Sequence, residues 1–176
     1  MAPDDYERRV GLALESLGIP KVLLTERGLR LCVEADELVV AEIGEKGREH
    51  RLVPGAAKAW GELAQAAKSD GVLLKIVSAY RSFDRQVEIV RRKLAKGLSL
   101  EAILLVSAPP GYSEHHTGRA VDVTTPDCPP LEEAFEATEA FRWLQANAER
   151  FGYHLSYGRG NRSGYAYEPW HWCFRL

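Results

Sequence analysis

The stretch Ser113-Glu114-His115-His116-Thr117-Gly118-Arg119-Ala120-Val121-Asp122 places two histidines and two carboxylates across a change of local structure. Pro109, Pro110, Gly111 and Gly118 give residues 108–118 the composition of a loop. Arg119–Thr124 then reads as a strand, with Ala120 and Val121 beside Asp122. A second segment, Glu168-Pro169-Trp170-His171, leads into a strand over His171–Phe174. His115, Asp122 and His171 together form a donor set suited to catalytic zinc. Two imidazoles and one carboxylate bind the ion, the carboxylate offsets part of its charge, and the fourth tetrahedral position stays open. A structural zinc site closes that position, usually with Cys. Glu168, three residues before His171, is the candidate general base.

Spacing alone raises two objections. Residues three or seven apart in one straight strand point to opposite faces. Pro169 makes the start of the last strand irregular, and Gly118 permits a turn between His115 and Asp122. His116 also competes with His115 as a ligand. His50 and His154, the other two of the five histidines, read as ordinary core or surface residues.

Working outward, residues 4–17 read as an amphipathic helix, with Tyr6, Val10, Leu14 and Leu17 on one face. Lys21–Thr25 and Leu29–Val33 read as a hairpin around Glu26-Arg27-Gly28, and Leu38–Ile43 as a third strand. Pro54 and Gly55 open a helix whose face is Trp60, Leu63, Ala64 and Ala67, ended by Asp70-Gly71. Val72–Val77 reads as a buried strand. A helix over Phe83–Ala95 buries Phe83, Val87, Val90 and Leu94. Its other face, with Arg85, Glu88, Arg92, Lys93 and Lys96, reads as solvated. The last helix spans Thr138–Arg150, and Tyr153–Tyr157 is a strand. Helices alternating with hairpins predict an α+β fold with a mainly antiparallel sheet flanked by helices. No repeat or linker divides the 176 residues, so one domain over 1–176 is expected.

Composition narrows the function. With 23 Lys+Arg against 25 Asp+Glu the net charge is −2, which gives no electrostatic case for nucleic acid. No apolar run is long enough for a membrane span. Cys32, Cys128 and Cys173 are far apart and odd in number, which excludes a disulfide scaffold and a four-Cys zinc site. Cys173 reads as a packed strand residue. The first residues, Met1 to Glu7, lack the basic and apolar regions of a secretory leader. The expectation is a cytoplasmic monomer as written, or an extracellular or periplasmic one if a leader was removed or release is by lysis.

The motifs carry a resemblance. Ser113-x-His115-x-x-Gly118-x-Ala120-x-Asp122 followed by Glu168-x-x-His171 resembles the VanY-type zinc D-Ala-D-Ala carboxypeptidases of peptidase family M15. The upstream Ser78-Ala79-Tyr80-Arg81-Ser82-Phe83-x-x-Gln86 is similar to that family's S-x-Y-R-S-x-x-x-Q segment. The likeness covers roughly residues 54–176, and residues 1–53 have no counterpart in it. It implies zinc on His115, Asp122 and His171, favouring His115 over His116, with Glu168 as base. It implies that Arg81 reaches the scissile carbonyl, and that Gln86 and Ser113 hold the substrate's terminal carboxylate. Tyr80, Trp170 and Trp172 are candidate pocket walls, with core packing the alternative. Elsewhere Arg81 would read as a surface ion pair and Ser113 as a turn cap. The implied fold is shared with lysostaphin-type peptidases and the hedgehog domain, with zinc on the concave face of the sheet. The implied substrate is a peptidoglycan stem peptide or muropeptide that loses a C-terminal D-Ala. The alternatives are a phage-type endopeptidase cutting L-Ala-D-Glu and a zinc-containing binding module without turnover. Glu168 and Arg81 argue against the last, because binding alone needs no base beside an open metal position.

Overall fold

The computed structural model describes residues 3–175. Its elements in chain order are α1 (Pro3–Ser16), α2 (Lys21–Glu26), β1 (Val39–Ile43), β2 (Glu49–Leu52), α3 (Pro54–Ser69) and β3 (Lys75–Ser78). There follow α4 (Phe83–Ala95), α5 (Leu100–Leu105), β4 (Ala120–Thr124), α6 (Glu139–Asn147), β5 (Tyr153–Leu155) and β6 (His171–Phe174). A four-stranded antiparallel sheet runs in the order β3-β4-β6-β5, and β1-β2 form a separate antiparallel hairpin. The α+β expectation holds.

The period-2 geometry of strands decides what each sheet face carries. In β4, Val121 and Val123 are buried in the main core, and Asp122 lies on the other face. In β6, Trp172 joins the core, while His171 sits directly opposite Asp122 in the ladder. The core side is covered by α3 and α6, through Trp60, Leu63, Phe141 and Leu144. Each such side chain stabilises the fold by roughly 1.5–3 kcal/mol when fully buried. Pro54 at the first turn suits α3, because it lacks an N–H that would have no partner there. Thr138 caps α6 by accepting from the Phe141 amide at 3.1 Å.

A second core joins α1, α2, α4 and α5 through Tyr6, Val10, Leu14, Phe83, Val90 and Ile103. Here the structure departs from the predicted hairpin. Lys21–Thr25 belongs to the helix α2, with Leu24 buried, and residues 29–35 pair with no strand. The alternation of Leu29 and Leu31 does report an extended segment with one side on the core. Its amides instead bond the motif loop, Cys32 to the Gly111 carbonyl at 2.7 Å and Ala35 to the His116 carbonyl at 2.9 Å. The buried strand expected over 72–77 shortens to β3, with Leu73 half exposed. The strand β2 and the helix α5 have no counterpart among the expected elements; α5 starts where Ser99 caps the Ala102 amide.

Residues 1–53 therefore brace the motif loop where they are described. Val53 donates to the Gly118 carbonyl at 2.9 Å. Glu34 Oε1 accepts from the Phe83 amide at 2.7 Å and from the Tyr80 hydroxyl at 3.1 Å, fixing the start of α4. Arg27 donates to the Leu104 and Ser163 carbonyls, tying α5 to the loop before β6. Gly118 has φ +64°, and a Cβ there would lie 2.9 Å from Leu38 and 3.1 Å from Val53. Both the backbone conformation and the close approach require glycine.

Candidate active site

His115 lies in a short 3-10 turn, Glu114–Thr117, that Gly118 ends in a left-handed conformation before β4 begins. That turn removes the seven-residue facing conflict and brings His115 over Asp122. The His115 Nε2 is 3.2 Å from Asp122 Oδ2, and the His171 Nδ1 is 3.0 Å from Asp122 Oδ1. One ligand atom from each of the three residues fits within a 4.8 Å group, and all three residues are buried.

The remaining ring nitrogens are committed elsewhere, which fixes the tautomer of His115. His115 Nδ1–H donates to the Ala79 carbonyl at 2.7 Å, leaving Nε2 for a metal. His171 Nε2 lies 2.9 Å from Glu114 Oε2, leaving Nδ1 on the Asp122 side. Ser156 donates to the same Glu114 oxygen at 2.7 Å. Sequence reasoning missed Glu114 because it sits inside the motif at an unassigned position. Its one signal was a carboxylate adjacent to a ligand in a loop. His116 is excluded as a ligand by its partners: Nδ1–H donates to the Arg81 carbonyl at 2.7 Å and Nε2 accepts from the Gly111 amide at 3.2 Å.

The charges are those of a cation site. Burial pulls the His115 imidazole below its ordinary pKa, keeping it neutral and able to ligate. Burial opposes ionisation of Asp122, but the two histidines outweigh it and hold the carboxyl well below its usual range. Burial also opposes the His171 cation, yet Asp122 and Glu114 raise the group to about 10. A positive charge is thus favoured between these two carboxylates even in the metal-free protein. Burial raises Glu114, but its bonds to His171 and Ser156 prevail and set it at about 2.

Glu168 stands in the turn before β6, so strand periodicity does not apply to it. Its carbonyl accepts from the His171 amide at 3.1 Å, and its carboxylate comes within 3.9 Å of His171 Nδ1. Burial, only partly opposed by His171 and Arg81, raises its carboxyl to about 7. Arg81 donates to Gln86 Oε1 and to Ser78 Oγ, each at 3.1 Å, and approaches Asp122 at 3.9 Å. The Ser78…Arg81…Gln86 spacing is therefore one network that holds a guanidinium at the site.

An open cleft of about 600 Å³ runs past these groups, lined by Arg81, Ser113, Tyr157, Tyr165, Glu168 and Trp170 among others. Gln86, Tyr80 and Lys93 fall differently from the sequence reading, and Trp172 takes its core-packing alternative. Gln86 is fully enclosed, with Nε2 donating to the Ala108 carbonyl at 2.7 Å, so it supports Arg81 and is absent from the cleft wall. Tyr80 turns its hydroxyl to Glu34 and likewise does not line the cleft. Trp172 packs in the core, as β-strand alternation requires of the residue after His171. Lys93, read with the solvated face of α4, lines the cleft. Tyr157 was read only as a strand residue; its ring stacks on His171 with centroids 4.5 Å apart. His50 is buried away from the cleft.

Comparison with known proteins bears on the same residues. The family model for VanY, D-alanyl-D-alanine carboxypeptidase, matches residues 49–175. This chain belongs to the VanY family. A relative, the D-alanyl-D-alanine carboxypeptidase of Enterococcus faecalis (strain ATCC 700802 / V583), is 36% identical over 126 residues, covering 64% of this chain and 44% of the relative. YodJ of Bacillus subtilis (strain 168) is 35% identical over 145 residues, covering 78% and 53% respectively. The chain thus spans about half the length of the curated relatives it matches. Among solved structures, the LdcB LD-carboxypeptidase superimposes with a TM-score of 0.73 at 32% identity, over 80% of this chain and 69% of that one. VanYB in complex with D-alanine-D-alanine gives 0.59 at 31% identity, over 78% and 76%. A variant of the vancomycin resistance D,D-pentapeptidase VanY in complex with Zn(II) gives 0.59 at 28% identity, over 82% and 86%. Among the described residues no helix is long and apolar enough to cross a membrane.

Proposed function

We propose that this chain is a zinc-dependent carboxypeptidase that removes a C-terminal D-alanine from peptidoglycan-type stem peptides. The observation that carries the reading is one cleft in which three buried side chains able to hold a metal meet a carboxyl of raised pKa outside that trio and a guanidinium held by hydrogen bonds. The donor set fits zinc: two neutral-capable imidazole nitrogens and a carboxylate, with each histidine's second nitrogen already bonded. Bound there, zinc supplies Lewis acidity and lowers the pKa of a water toward neutrality.

The chain's own residues supply the rest. Glu168 takes a proton from the attacking water and delivers it to the leaving amine nitrogen as the C–N bond breaks. A carboxyl near 7 exchanges a proton in both directions at neutral pH, as that double role requires. Arg81 aims its N–H groups at the carbonyl oxygen as negative charge develops, and Ser78 and Gln86 hold it there without reorganisation. Tyr157 and Trp170 wall the cleft. The leaving D-alanine follows either a D- or an L-residue; the chemistry at the metal is the same. The substrates are stem peptides of the wall or of fragments released from it.

A Glu168→Ala variant tests the mechanism. It should bind one zinc ion per chain, as the wild type does, while turnover of a D-Ala-ending muropeptide nearly vanishes. Retained turnover would sink the assignment of the base.

A further inference from the structure

We infer that Arg27, the residue that ends α2, is a positioning residue for the active site: its guanidinium is the outer layer of an aromatic stack that ends on His171. For its effect on turnover the inference rests on the carboxypeptidase reading; for its effect on metal affinity it stands apart from that reading. Arg27 lies outside residues 49–175, the part of the chain that the family model matches. Its Cζ sits 4.3 Å from the centroid of the Tyr165 ring. Tyr165 meets Tyr157 with centroids 4.7 Å apart, and Tyr157 stacks on His171 at 4.5 Å with the ring planes 28° apart. Guanidinium, two phenol rings and imidazole thus form successive layers from the N-terminal segment to the site. A guanidinium is attracted to the face of an aromatic ring, and ring pairs at these distances contribute beyond the area they bury.

The same side chain pins the loop that carries the stack. Nε donates to the Ser163 carbonyl at 2.6 Å and Nη1 to the Leu104 carbonyl at 2.9 Å, so one planar fork spans the loop and the end of α5. These partners are neutral, two carbonyls and a ring face, so the guanidinium acts here through its shape more than through an ion pair. Gly164 has φ +66°, and a Cβ there would lie 3.3 Å from Arg27 Nε, so the loop backbone is shaped to admit the guanidinium. Beside these bonds the Ala166 amide donates to the Leu105 carbonyl at 2.9 Å, and Asn161 Nδ2 donates to the Tyr165 carbonyl at 2.8 Å. The loop then delivers Glu168, whose amide donates to the Tyr157 carbonyl at 3.0 Å. Loosening the 163–165 stretch therefore disturbs two things at once, the ring held against His171 and the residue assigned as base.

The experiment measures zinc affinity by chelator competition, and kcat and KM on a D-Ala-ending stem peptide, for Arg27→Met, Tyr165→Leu and the double variant. Arg27→Met should weaken zinc binding by about 3- to 10-fold, the worth of one aromatic contact. It should lower kcat by roughly 10- to 100-fold and change KM less, because the reacting groups are misplaced while most of the cleft stands. Tyr165→Leu should act in the same direction, and the double variant should be little worse than the more damaged single one, since both break one stack. Arg30→Met, exposed in the same segment, should match the wild type in every readout. If Arg27→Met does not fold, as judged by thermal melting, Arg27→Lys keeps the stem and the charge without the fork and should show the same two losses. A folded Arg27→Met or Arg27→Lys protein whose zinc affinity or kcat stays at the wild-type value, whatever its melting temperature, overturns the inference, as do losses that multiply in the double variant. Wild-type protein that binds zinc but cleaves no D-Ala-ending peptide overturns the carboxypeptidase reading, and the zinc affinities alone then decide the role of Arg27.

Discussion

Replacing Glu114 with alanine removes the acceptor that holds His171 from outside the metal site. Glu114 Oε2 sits 2.9 Å from His171 Nε2 and 2.7 Å from the Ser156 hydroxyl, so one oxygen anchors both. A hydrogen bond to a charged group contributes roughly 1.5–3 kcal/mol, and losing such a partner of a metal-bound histidine typically costs 10- to 100-fold in metal affinity. One contact keeps the loss from being larger: Tyr157 still stacks on the ring. One feature keeps it from being smaller: the His171 ring is almost fully enclosed, so water does not easily replace the lost acceptor. The assay is zinc affinity by competition with a chromophoric chelator, read independently of hydrolysis. Glu114→Ala should weaken binding by about 10- to 100-fold, and Glu114→Gln, which keeps an acceptor, by less. Zinc bound by Glu114→Ala within twofold of the wild-type affinity would refute the role assigned to this carboxylate.

Two further outcomes follow from burial and bonding. Burial raises the Glu168 carboxyl to about 7 in the folded chain, above its unfolded value, so this group's contribution to metal-free stability is full below about pH 4 and is lost as pH rises through 7. Metal-free Glu168→Gln should therefore melt roughly 2–6 °C above the wild type at pH 8 and show little difference at pH 4; an equal gap at both pH values would contradict the sign. Glu34→Ala strips the Phe83 amide, the Tyr80 hydroxyl and the Arg9 guanidinium of one shared partner and should destabilise by roughly 1–3 kcal/mol, measured by denaturant unfolding. An unchanged unfolding midpoint would show that residues near 34 do not brace α4.

Much of this site was legible because its residues are constrained in type and order. His115, Asp122 and His171 could be picked out from the motif, and the strand expected over 119–124 is present as β4, where Asp122 lies on the opposite face from Val121. What failed was knowledge of partners. Leu29 and Leu31 alternate as in a strand, but alternation reports one buried side and not a neighbouring strand; their segment bonds the motif loop. Lys21–Glu26 is a single short helical turn and a half, too brief for periodicity to separate helix from strand. Gln86 and Tyr80 sit in the same motif as Arg81, yet one bonds its guanidinium and the other faces Glu34, a contact across 46 residues. Lys93 and Lys96 look alike in sequence, and only the position of the 106–108 segment against α4 brings Lys93 to the cleft.

The central claim is that the cleft removes one terminal D-alanine by zinc chemistry. Mass spectrometry of products, after zinc loading, on a D-Ala-D-Ala-ending pentapeptide muropeptide, a D-Ala-ending tetrapeptide and intact sacculi tests it most directly. The account predicts the loss of a single alanine from one or both soluble peptides, abolished by a chelator and restored by zinc. Fragments from an internal L-Ala-D-Glu cut, or no product from any of the three with zinc bound, would contradict it.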